Sequence, residues 1–362
     1  MSDYIVSARK YRPVTFDSVV GQEHITTTLK NSIRNNQLAQ AFLFCGPRGV
    51  GKTTCARILA RTINCTNLTP ETEACGCCDS CVSFNNANSM NIFELDAASN
   101  NGVEDIRSLI AEVRIPPQTG RYKVYIIDEV HMLSQAAFNA FLKTLEEPPA
   151  HAKFILATTE KHKVLPTILS RCQVFDFKRI STDDIVKHLA HVAEQEQVKY
   201  DEEALRLIAR NADGGLRDAL STFDQLVSFT AGDLNYARCA ETLNVLDQEF
   251  YLRLVDCFRK GDVSQALLIY EEILSRGFDG QRFLTGLSEH LRNLMVSLDP
   301  ATHRLLDVSE GMAARLGEQA AACGLPYLLQ WLDIASDYEY RYRDAGNKRL
   351  FIEVGLMKMA AS

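Results

Sequence analysis

The chain has 362 residues, 46% of them hydrophobic and 23% charged, which is typical of a soluble globular protein with two or three domains. Its formal net charge of −7 argues against a general polyanion binder, so contact with nucleic acid would need a local basic surface or partner chains. No apolar run approaches the ~20 residues of a bilayer-spanning helix. The start, MSDYIVSARKYRP, also lacks the apolar stretch of a signal peptide. We therefore expect a cytoplasmic protein without membrane contact.

Short apolar runs that end in polar residues alternate with helical stretches over roughly the first 180 residues. Four such runs predict strands: Ala41–Cys45, Asn91–Asp96, Lys123–Asp128 and Lys153–Thr158. Helical spacing of apolar residues predicts a helix over Ala136–Glu147, which Pro148 and Pro149 stop. Short apolar strands separated by helices favour an α/β domain with a parallel sheet covered on both faces.

The pattern changes after Phe177, where strand-like runs largely disappear. Residues 180–243 and 244–362 show helical spacing instead, as in the shared face of Phe250, Leu254 and Phe258. We predict an α/β domain over residues 1–179, a small helical domain over 180–243 and a helical C-terminal domain over 244–362.

The segment Gly46–Thr53 fits the pattern G-x-x-x-x-G-K-[ST], and it lies between the strand Ala41–Cys45 and a helical stretch at Thr54–Arg61. Glycines let backbone N–H groups curl around a phosphate, and the helix start adds unpaired donors. We expect Lys52 to reach the β- and γ-phosphates of ATP and Thr53 to bind Mg²⁺. The flanking elements disfavour the alternative of a glycine-rich turn that carries Lys and Thr by chance. The predicted phosphate-binding residues are Gly46, Gly49, Val50, Gly51, Lys52, Thr53 and Thr54.

Two carboxylates stand side by side where the strand Lys123–Asp128 ends: Asp128 is its last residue, and Glu129 is the next. Asp128 is placed to hold Mg²⁺ through water, and Glu129 to orient and deprotonate the attacking water. A pair of solvated acids is the alternative, and the upstream phosphate loop argues against it. A protein that binds ATP without hydrolysing it would not need Glu129.

Four of the eleven cysteines follow the spacing C-x9-C-x2-C-x2-C, at Cys65, Cys75, Cys78 and Cys81. Without a secretion signal, such a cluster predicts a metal site, and four thiolates surround Zn²⁺ tetrahedrally. This closed set would brace a small insert over about residues 65–81 and would not catalyse. An iron–sulfur cluster, another metal and no metal remain alternatives. We expect Cys77 to lie outside the ligand set, and the other six cysteines to be buried small apolar residues.

Several motifs occur in one order along the chain: YRP, VVGQ, GPRGVGKT, the cysteine insert, IIDEVHMLS, NAFLKTLEEPP, LATTE, LPTILSRC and GGLRDAL. Together they resemble the gamma/tau subunits of bacterial DNA polymerase III, the AAA+ ATPases of the clamp loader. The resemblance is dense over residues 4–243 and looser beyond. It implies an AAA+ nucleotide-binding domain, a helical lid domain and a C-terminal collar domain that holds the oligomer.

The resemblance also implies roles for residues that no local pattern identifies. Tyr11, Arg12 and Val20 match the segment that lines the adenine pocket. In the Thr158-Thr159 pair we favour Thr159 as the first sensor of the γ-phosphate. Arg171 matches the arginine finger that completes the ATP site of a neighbouring subunit, and Arg217 matches the second sensor on the lid. Without the family match, a surface salt bridge would be the preferred interpretation of both arginines.

As a member of this family, the chain would be the ATP-driven motor that loads a sliding clamp onto primer–template DNA. The implied partners are delta- and delta-prime-type subunits, further copies of the chain, the clamp and DNA. Asn100, Asn101 and Gly102 stand where relatives often carry basic residues, so we do not expect this loop to contact DNA. Lys143 remains a candidate for DNA contact, with a solvated helix-face residue as the equal alternative.

Two other functions remain open from the sequence. A DNA branch-migration ATPase would share the phosphate loop, the acidic pair and the arginine sensors, but the cysteine insert and the SRC motif favour a clamp loader. A non-hydrolysing stator subunit would donate an arginine finger, but such subunits typically lack an intact phosphate loop.

Overall fold

The structure is a computed structural model that describes residues 5–118, 120–243, 246–306, 308 and 310–361. It divides into two compact units, Met1–Asp233 and Leu234–Ser362. The predicted boundary between residues 243 and 244 adjoins two residues outside those described.

A five-stranded parallel sheet forms the centre of the first unit, which confirms the predicted α/β architecture. Its strands are β1 (Ala41–Cys45), β2 (Ile92–Asp96), β3 (Lys123–Asp128), β4 (Ala152–Thr158) and β5 (Gln173–Asp176). The spatial order is β2-β3-β4-β1-β5. Four of the five strands match the predicted runs within a residue at their starts. The edge strand β5 was missed because its short sequence, QVFD, lacks a continuous apolar run.

The strand register brings polar strand ends to one edge of the sheet. Cys45 lies opposite both Thr158 and Asp176, and Asp96 lies opposite Asp128. In parallel sheets the carboxyl ends of all strands meet at one edge, which is where ligands bind in α/β proteins. This edge therefore collects the residues of the candidate site.

Helices cover both faces of the sheet because alternate strand residues point to opposite sides. Phe42 and Phe44 pack with Leu59 in one core, whereas Leu43 packs with Phe141 in the other. The helices of this unit are α1 (Ser7–Lys10), α2 (Glu23–Arg34), α3 (Lys52–Ile63), α4 (Asp79–Asn85), α5 (Val103–Val113), α6 (Gln135–Glu146), α7 (Pro166–Leu169), α8 (Thr182–Gln195), α9 (Glu202–Asn211) and α10 (Leu216–Phe229). Short 3₁₀-helices span Val130–Met132 and Lys161–Lys163, and two-residue strands lie at Lys199–Tyr200 and Asp233–Leu234.

The second unit is built mainly from helices, which confirms the predicted helical C-terminal region. Its helices are α11 (Tyr236–Thr242), α12 (Gln248–Lys260), α13 (Val263–Ser275), α14 (Gly280–Ser297), α15 (Glu310–Cys323), α16 (Leu325–Arg341) and α17 (Lys348–Ala360), with 3₁₀-helices at Pro300–Leu305 and Tyr342–Asp344. Phe250, Leu254 and Phe258 share a buried face of α12, and they join one core with Trp331 of α16. Within the described part of the chain, no helix combines the length and apolar character needed to cross a membrane.

Candidate functional site

The glycine loop joins the end of β1 to the start of α3, the context that a phosphate loop requires. Gly49 and Gly51 have φ angles of 77° and 104°, which L-residues with a side chain rarely adopt. A Cβ at Gly46 would lie 2.5 Å from the carbonyl oxygen of Phe177. The loop therefore depends on its glycines for its conformation and for its close approach to the strand beside it.

Lys52 turns its ammonium group back into this loop. Its Nζ donates hydrogen bonds to the carbonyl oxygens of Gly46, at 2.8 Å, and Pro47, at 2.6 Å. Burial lowers the pKa of Lys52, against the opposing charges of Glu129 and Asp128. The ammonium thus lies where the loop would enclose a phosphate, a ligand that would compensate the cost of burying it.

Thr53 and Asp128 present neighbouring oxygen atoms at the sheet edge. The Thr53 hydroxyl donates to Oδ2 of Asp128 at 2.6 Å, and Oδ1 of Asp128 accepts from the backbone N–H of Glu129 at 3.0 Å. Mg²⁺ prefers hard oxygen ligands and is usually held by one or two protein groups together with substrate phosphates. This oxygen pair beside the phosphate loop fits such an ion.

The predicted base and the predicted first sensor lie in contact. Oε2 of Glu129 accepts hydrogen bonds from the backbone N–H of Thr159, at 3.1 Å, and from its hydroxyl, at 2.9 Å. Glu129 has a φ angle of 47°, a left-handed conformation that costs free energy in a residue with a side chain. The turn after β3 therefore aims this carboxylate at the end of β4.

A cavity of about 500 Å³ opens over the phosphate loop. Of the predicted site residues, it is lined by Tyr11, Arg12, Val20, Gly49, Val50, Gly51, Lys52, Thr53, Thr54, Asp128, Glu129 and Arg217. Gly46 and Thr159 are not among the lining residues, but each binds one that is: the Gly46 carbonyl accepts from Lys52, and Thr159 donates to Glu129. The sequence thus predicted the polar floor of this cavity.

The sequence reasoning missed the apolar side of the cavity. Ile180, Leu216 and Leu220 line it, together with Val19. Leu216 and Leu220 are four residues apart on α10, the helix that also carries Arg217, so the helical period beside the predicted sensor was a usable signal. Apolar side chains opposite a phosphate loop suit the flat faces of a nucleotide base.

Tyr11 and Arg12 connect this cavity to the lid helices and to α3. The Tyr11 hydroxyl donates to Oε1 of Glu196, which also binds Lys10 at 2.6 Å. Nε of Arg12 donates to the hydroxyl of Thr54 at 3.2 Å. The predicted adenine segment is therefore anchored by side chains from two other elements.

The predicted arginine finger and the predicted second sensor differ in position. Arg217 lines the cavity, and its backbone N–H donates to the carbonyl of Gly49 at 3.4 Å. Arg171 is not among the residues that line the cavity of its own chain. Its guanidinium binds Glu146 at 2.7 Å and the carbonyl of Thr167 at 2.7 Å, with 33% of its side chain exposed. Arg171 is thus outside its own chain's site, as a group that acts on a neighbour would be.

The four cysteines of the predicted metal set converge. The sulfur atoms of Cys65, Cys75, Cys78 and Cys81 all lie within 4.8 Å of one another. Tetrahedral zinc with Zn–S bonds of about 2.3 Å holds its sulfurs roughly 3.8 Å apart. The four sulfur atoms would therefore need to move only slightly closer together to bind the ion. Burial opposes ionisation of Cys78, but the N–H groups of Thr66 and Cys81 outweigh it and lower its pKa to about 6. Cys77 is exposed and outside the cluster.

The cysteine insert is docked onto the N-terminal segment by a buried carboxylate that the sequence did not reveal. Glu73 accepts hydrogen bonds from the backbone N–H groups of Phe16, at 2.9 Å, and Asp17, at 3.2 Å. It also pairs with Lys30 at 2.8 Å, and 8% of the Glu73 side chain is exposed. The docked segment continues into Val19 and Val20 of the cavity wall.

The two predictions about DNA contact fall on exposed positions. Lys143 lies on the outer face of α6, and Asn101 is exposed in the loop before α5. The carbonyl of Asn101 accepts from the N–H of Ser134 at 3.2 Å.

Three family models match successive parts of the chain. They are described as "DNA polymerase III, delta subunit" (residues 21–181), "DNA polymerase III clamp loader subunit, ATPase lid domain" (184–232) and "DNA polymerase III subunits gamma and tau domain III" (234–362).

The chain is also similar to named proteins and solved structures. A solved structure of the Thermotoga maritima RuvB Holliday junction branch migration motor covers 68% of the chain and 78% of its own, at 18% identity and a TM-score of 0.49. DNA polymerase III subunit tau of Bacillus subtilis is 41% identical over 97% of the chain, and that of Escherichia coli is 43% identical over 82%. The chain spans 62% and 46% of those two proteins. DNA polymerase III subunit gamma of Buchnera aphidicola is 34% identical over 97% of the chain and 93% of its own length. With these family models matching in order and this near full-length similarity, the chain belongs to the gamma/tau family of DNA polymerase III clamp-loader subunits.

Proposed function

We propose that this chain is the ATP-hydrolysing motor subunit of a bacterial clamp loader. The observation that carries the proposal is the convergence of Lys52, Thr53, Asp128 and Glu129 on one cavity, closed on its lid side by Arg217. A stator that never hydrolyses ATP has no use for a base at this position. The branch-migration alternative is disfavoured by membership in the gamma/tau family and by the cysteine insert.

Each residue of this site has a separate role in phosphoryl transfer. Lys52 and the loop N–H groups bind the β- and γ-phosphates, and Thr53 and Asp128 hold a magnesium ion, whose chemistry is to neutralise charge on the phosphate oxygens. Glu129 accepts a proton from the water whose oxygen attacks the γ-phosphorus, as the bond to the β–γ bridging oxygen breaks. Thr159 orients Glu129, to which it donates two hydrogen bonds.

The arginines make this chemistry depend on assembly. Arg217 would move with the lid and bind the γ-phosphate. Arg171 would leave Glu146 and reach the ATP of a neighbouring subunit. A guanidinium that stabilises charge on the transferring phosphoryl group accelerates such reactions by about 10³–10⁵-fold. Supplying it in trans ties hydrolysis to a correctly formed complex.

The remaining parts serve the loader as a whole. We propose residues 1–179 as the nucleotide-binding domain, 180–243 as the lid and 244–362 as the collar. The partners are delta- and delta-prime-type subunits, further copies of this chain, a sliding clamp and primer–template DNA, all in the cytoplasm. The four cysteines would hold a structural zinc ion that stabilises the insert, since four thiolates leave no open coordination position.

The test is ATP turnover by the loader purified through this chain, with a ring-shaped clamp and primed DNA added or withheld. We expect DNA and clamp to stimulate turnover, and ATP to be required for the clamp to co-purify. Lys52→Ala should abolish binding of a fluorescent ATP analogue without unfolding the chain. Normal turnover by that variant, or no saturable nucleotide binding by the wild type, would refute the proposal.

A further inference from the structure

A buried imidazole lies directly behind the proposed base. His131 belongs to the 3₁₀-helix that follows Glu129, and 6% of its side chain is exposed. Its Nδ1 lies 3.0 Å from the hydroxyl of Thr158 and 3.4 Å from Oε2 of Glu129. Its Nε2 lies 3.1 Å from Oε2 of Glu160. One ring therefore touches the turn after β3, the end of β4 and the residue that leads into the next surface turn.

The partners of His131 determine how its protons are arranged. The Glu160 carboxylate faces Nε2 as an acceptor, so Nε2 carries a proton. The Thr158 hydroxyl oxygen already accepts from the backbone N–H of Glu160 at 3.0 Å, which leaves its O–H to donate to Nδ1 of a neutral ring. This assignment follows from the hydrogen-bond network.

These contacts act on one oxygen of the base. Oε2 of Glu129 accepts the two hydrogen bonds from Thr159, and the His131 ring lies 3.4 Å from it without donating to it. The same ring binds the residues before and after Thr159, so it holds the strand end that holds Oε2. Oε1 is then the oxygen that takes the proton from the attacking water. The direction of Oε1 into the cavity is set by how firmly Oε2 is held, because rotation about the side-chain torsions moves both oxygens together.

We propose that His131 is a positioning residue for ATP hydrolysis: by binding Thr158 and Glu160, it fixes the strand end whose Thr159 holds the carboxylate of Glu129. The inference rests on the proposed function and identifies a residue that acts through the base without touching ATP. On its outer side Glu160 binds Lys163 at 2.8 Å, so the chain of contacts extends from the base to the exposed turn Lys161–Lys163. His131 does not line the nucleotide cavity, so its loss should leave ATP affinity intact.

Substitution of His131 separates positioning from packing. His131→Phe keeps the volume of the ring and removes both nitrogens, whereas His131→Asn retains a polar group near the position of Nδ1. In the loader purified with its partner subunits, we expect His131→Phe to lower single-turnover hydrolysis by about 10–100-fold, the scale of a misplaced catalytic group. The dissociation constant of a fluorescent ATP analogue and the melting temperature should change little. His131→Asn should recover most of the lost rate.

A double-mutant cycle with Glu129→Gln provides the decisive measurement. Because His131 acts through Glu129, the variant carrying both His131→Phe and Glu129→Gln should hydrolyse ATP at the rate of Glu129→Gln alone, within about twofold. Multiplicative losses would overturn the inference, as would an unchanged rate in His131→Phe or equal rates in the Asn and Phe variants. A wild-type loader that binds ATP without hydrolysing it would refute the proposed function itself, and this inference with it.

Discussion

The buried histidine of the second unit makes the stability of that unit depend on pH. His290 lies on α14 with 5% of its surface exposed, and its ring stacks on Tyr251 at a centroid distance of 5.8 Å. Burial lowers the pKa of His290 from 6.5 to about 4, against the opposing effect of its hydrogen bond to Gln319. The folded unit therefore holds a neutral imidazole at pH values where the unfolded chain takes up a proton.

The sign and size of the effect follow from these two pKa values. A folded-state pKa below the unfolded value means that the stability is fully present above pH 6.5 and is lost as the pH falls toward 4. Proton uptake by His290 in the unfolded chain lowers the free energy of unfolding by roughly 2 kcal/mol at pH 5 and by about 3 kcal/mol below pH 4. His290→Gln removes the titrating group and keeps a hydrogen-bond donor near Gln319.

The assay uses the single tryptophan of the sequence, Trp331, which is buried in the core of the second unit. Its fluorescence during urea unfolding reports that unit, which is necessary because one unfolding free energy is not defined for a chain with two units. Between pH 7.5 and pH 5, the wild type should lose roughly 2 kcal/mol more stability than His290→Gln. His303→Gln, which replaces an exposed histidine of the same unit, is the matched control. Asp256, which accepts a hydrogen bond from Gln319 at 3.1 Å, is present in every variant, so its contribution to the pH dependence of stability cancels in the comparison. Equal losses in wild type and His290→Gln would refute the reasoning.

Three further predictions concern the first unit. Arg171→Ala should retain nucleotide binding, while DNA-stimulated hydrolysis by the assembled loader falls by about 10³-fold or more; the exposed Arg107→Ala is the control, and undiminished hydrolysis in Arg171→Ala would exclude the finger role. Cys75→Ser should lose zinc, measured by elemental mass spectrometry of the purified protein, and should lose thermal stability, whereas Cys77→Ser keeps both. A wild-type chain that purifies without metal would contradict the zinc assignment. Glu73→Gln should destabilise the first unit by about 2 kcal/mol, because an amide nitrogen then faces a buried N–H of Phe16 or Asp17. Hydrogen exchange of the buried strand amides of β1 and β3, followed by mass spectrometry, would measure this loss in the first unit. The exposed Glu71→Gln is the control, and a change no larger than that of the control would count against the docking role of Glu73.

Local patterns predicted most of the secondary structure because the strands β1, β3 and β4 are continuous apolar runs, buried on both faces. The same reasoning failed for β5, which has exposed residues at both ends and only one fully buried residue, Phe175. Helix α3 is longer than predicted at both ends, since it begins at Lys52 inside the phosphate loop and continues to Ile63. Its first residue, Lys52, is a predicted phosphate ligand and is buried.

Contiguous motifs determined the phosphate loop, the acidic pair and the cysteine set, because each function requires its residues at fixed short spacings that the printed order displays. The tertiary structure decided which distant groups meet them. Thr159 reaches Glu129, and Thr158 reaches His131, because β4 lies beside β3, and Glu73 reaches Phe16 because the cysteine insert packs on the N-terminal segment. Arg171 is turned to Glu146 by the packing of α7 on α6. These contacts join residues far apart in the chain, so they depend on the order of the strands and on the packing of helices and loops, which no local spacing encodes.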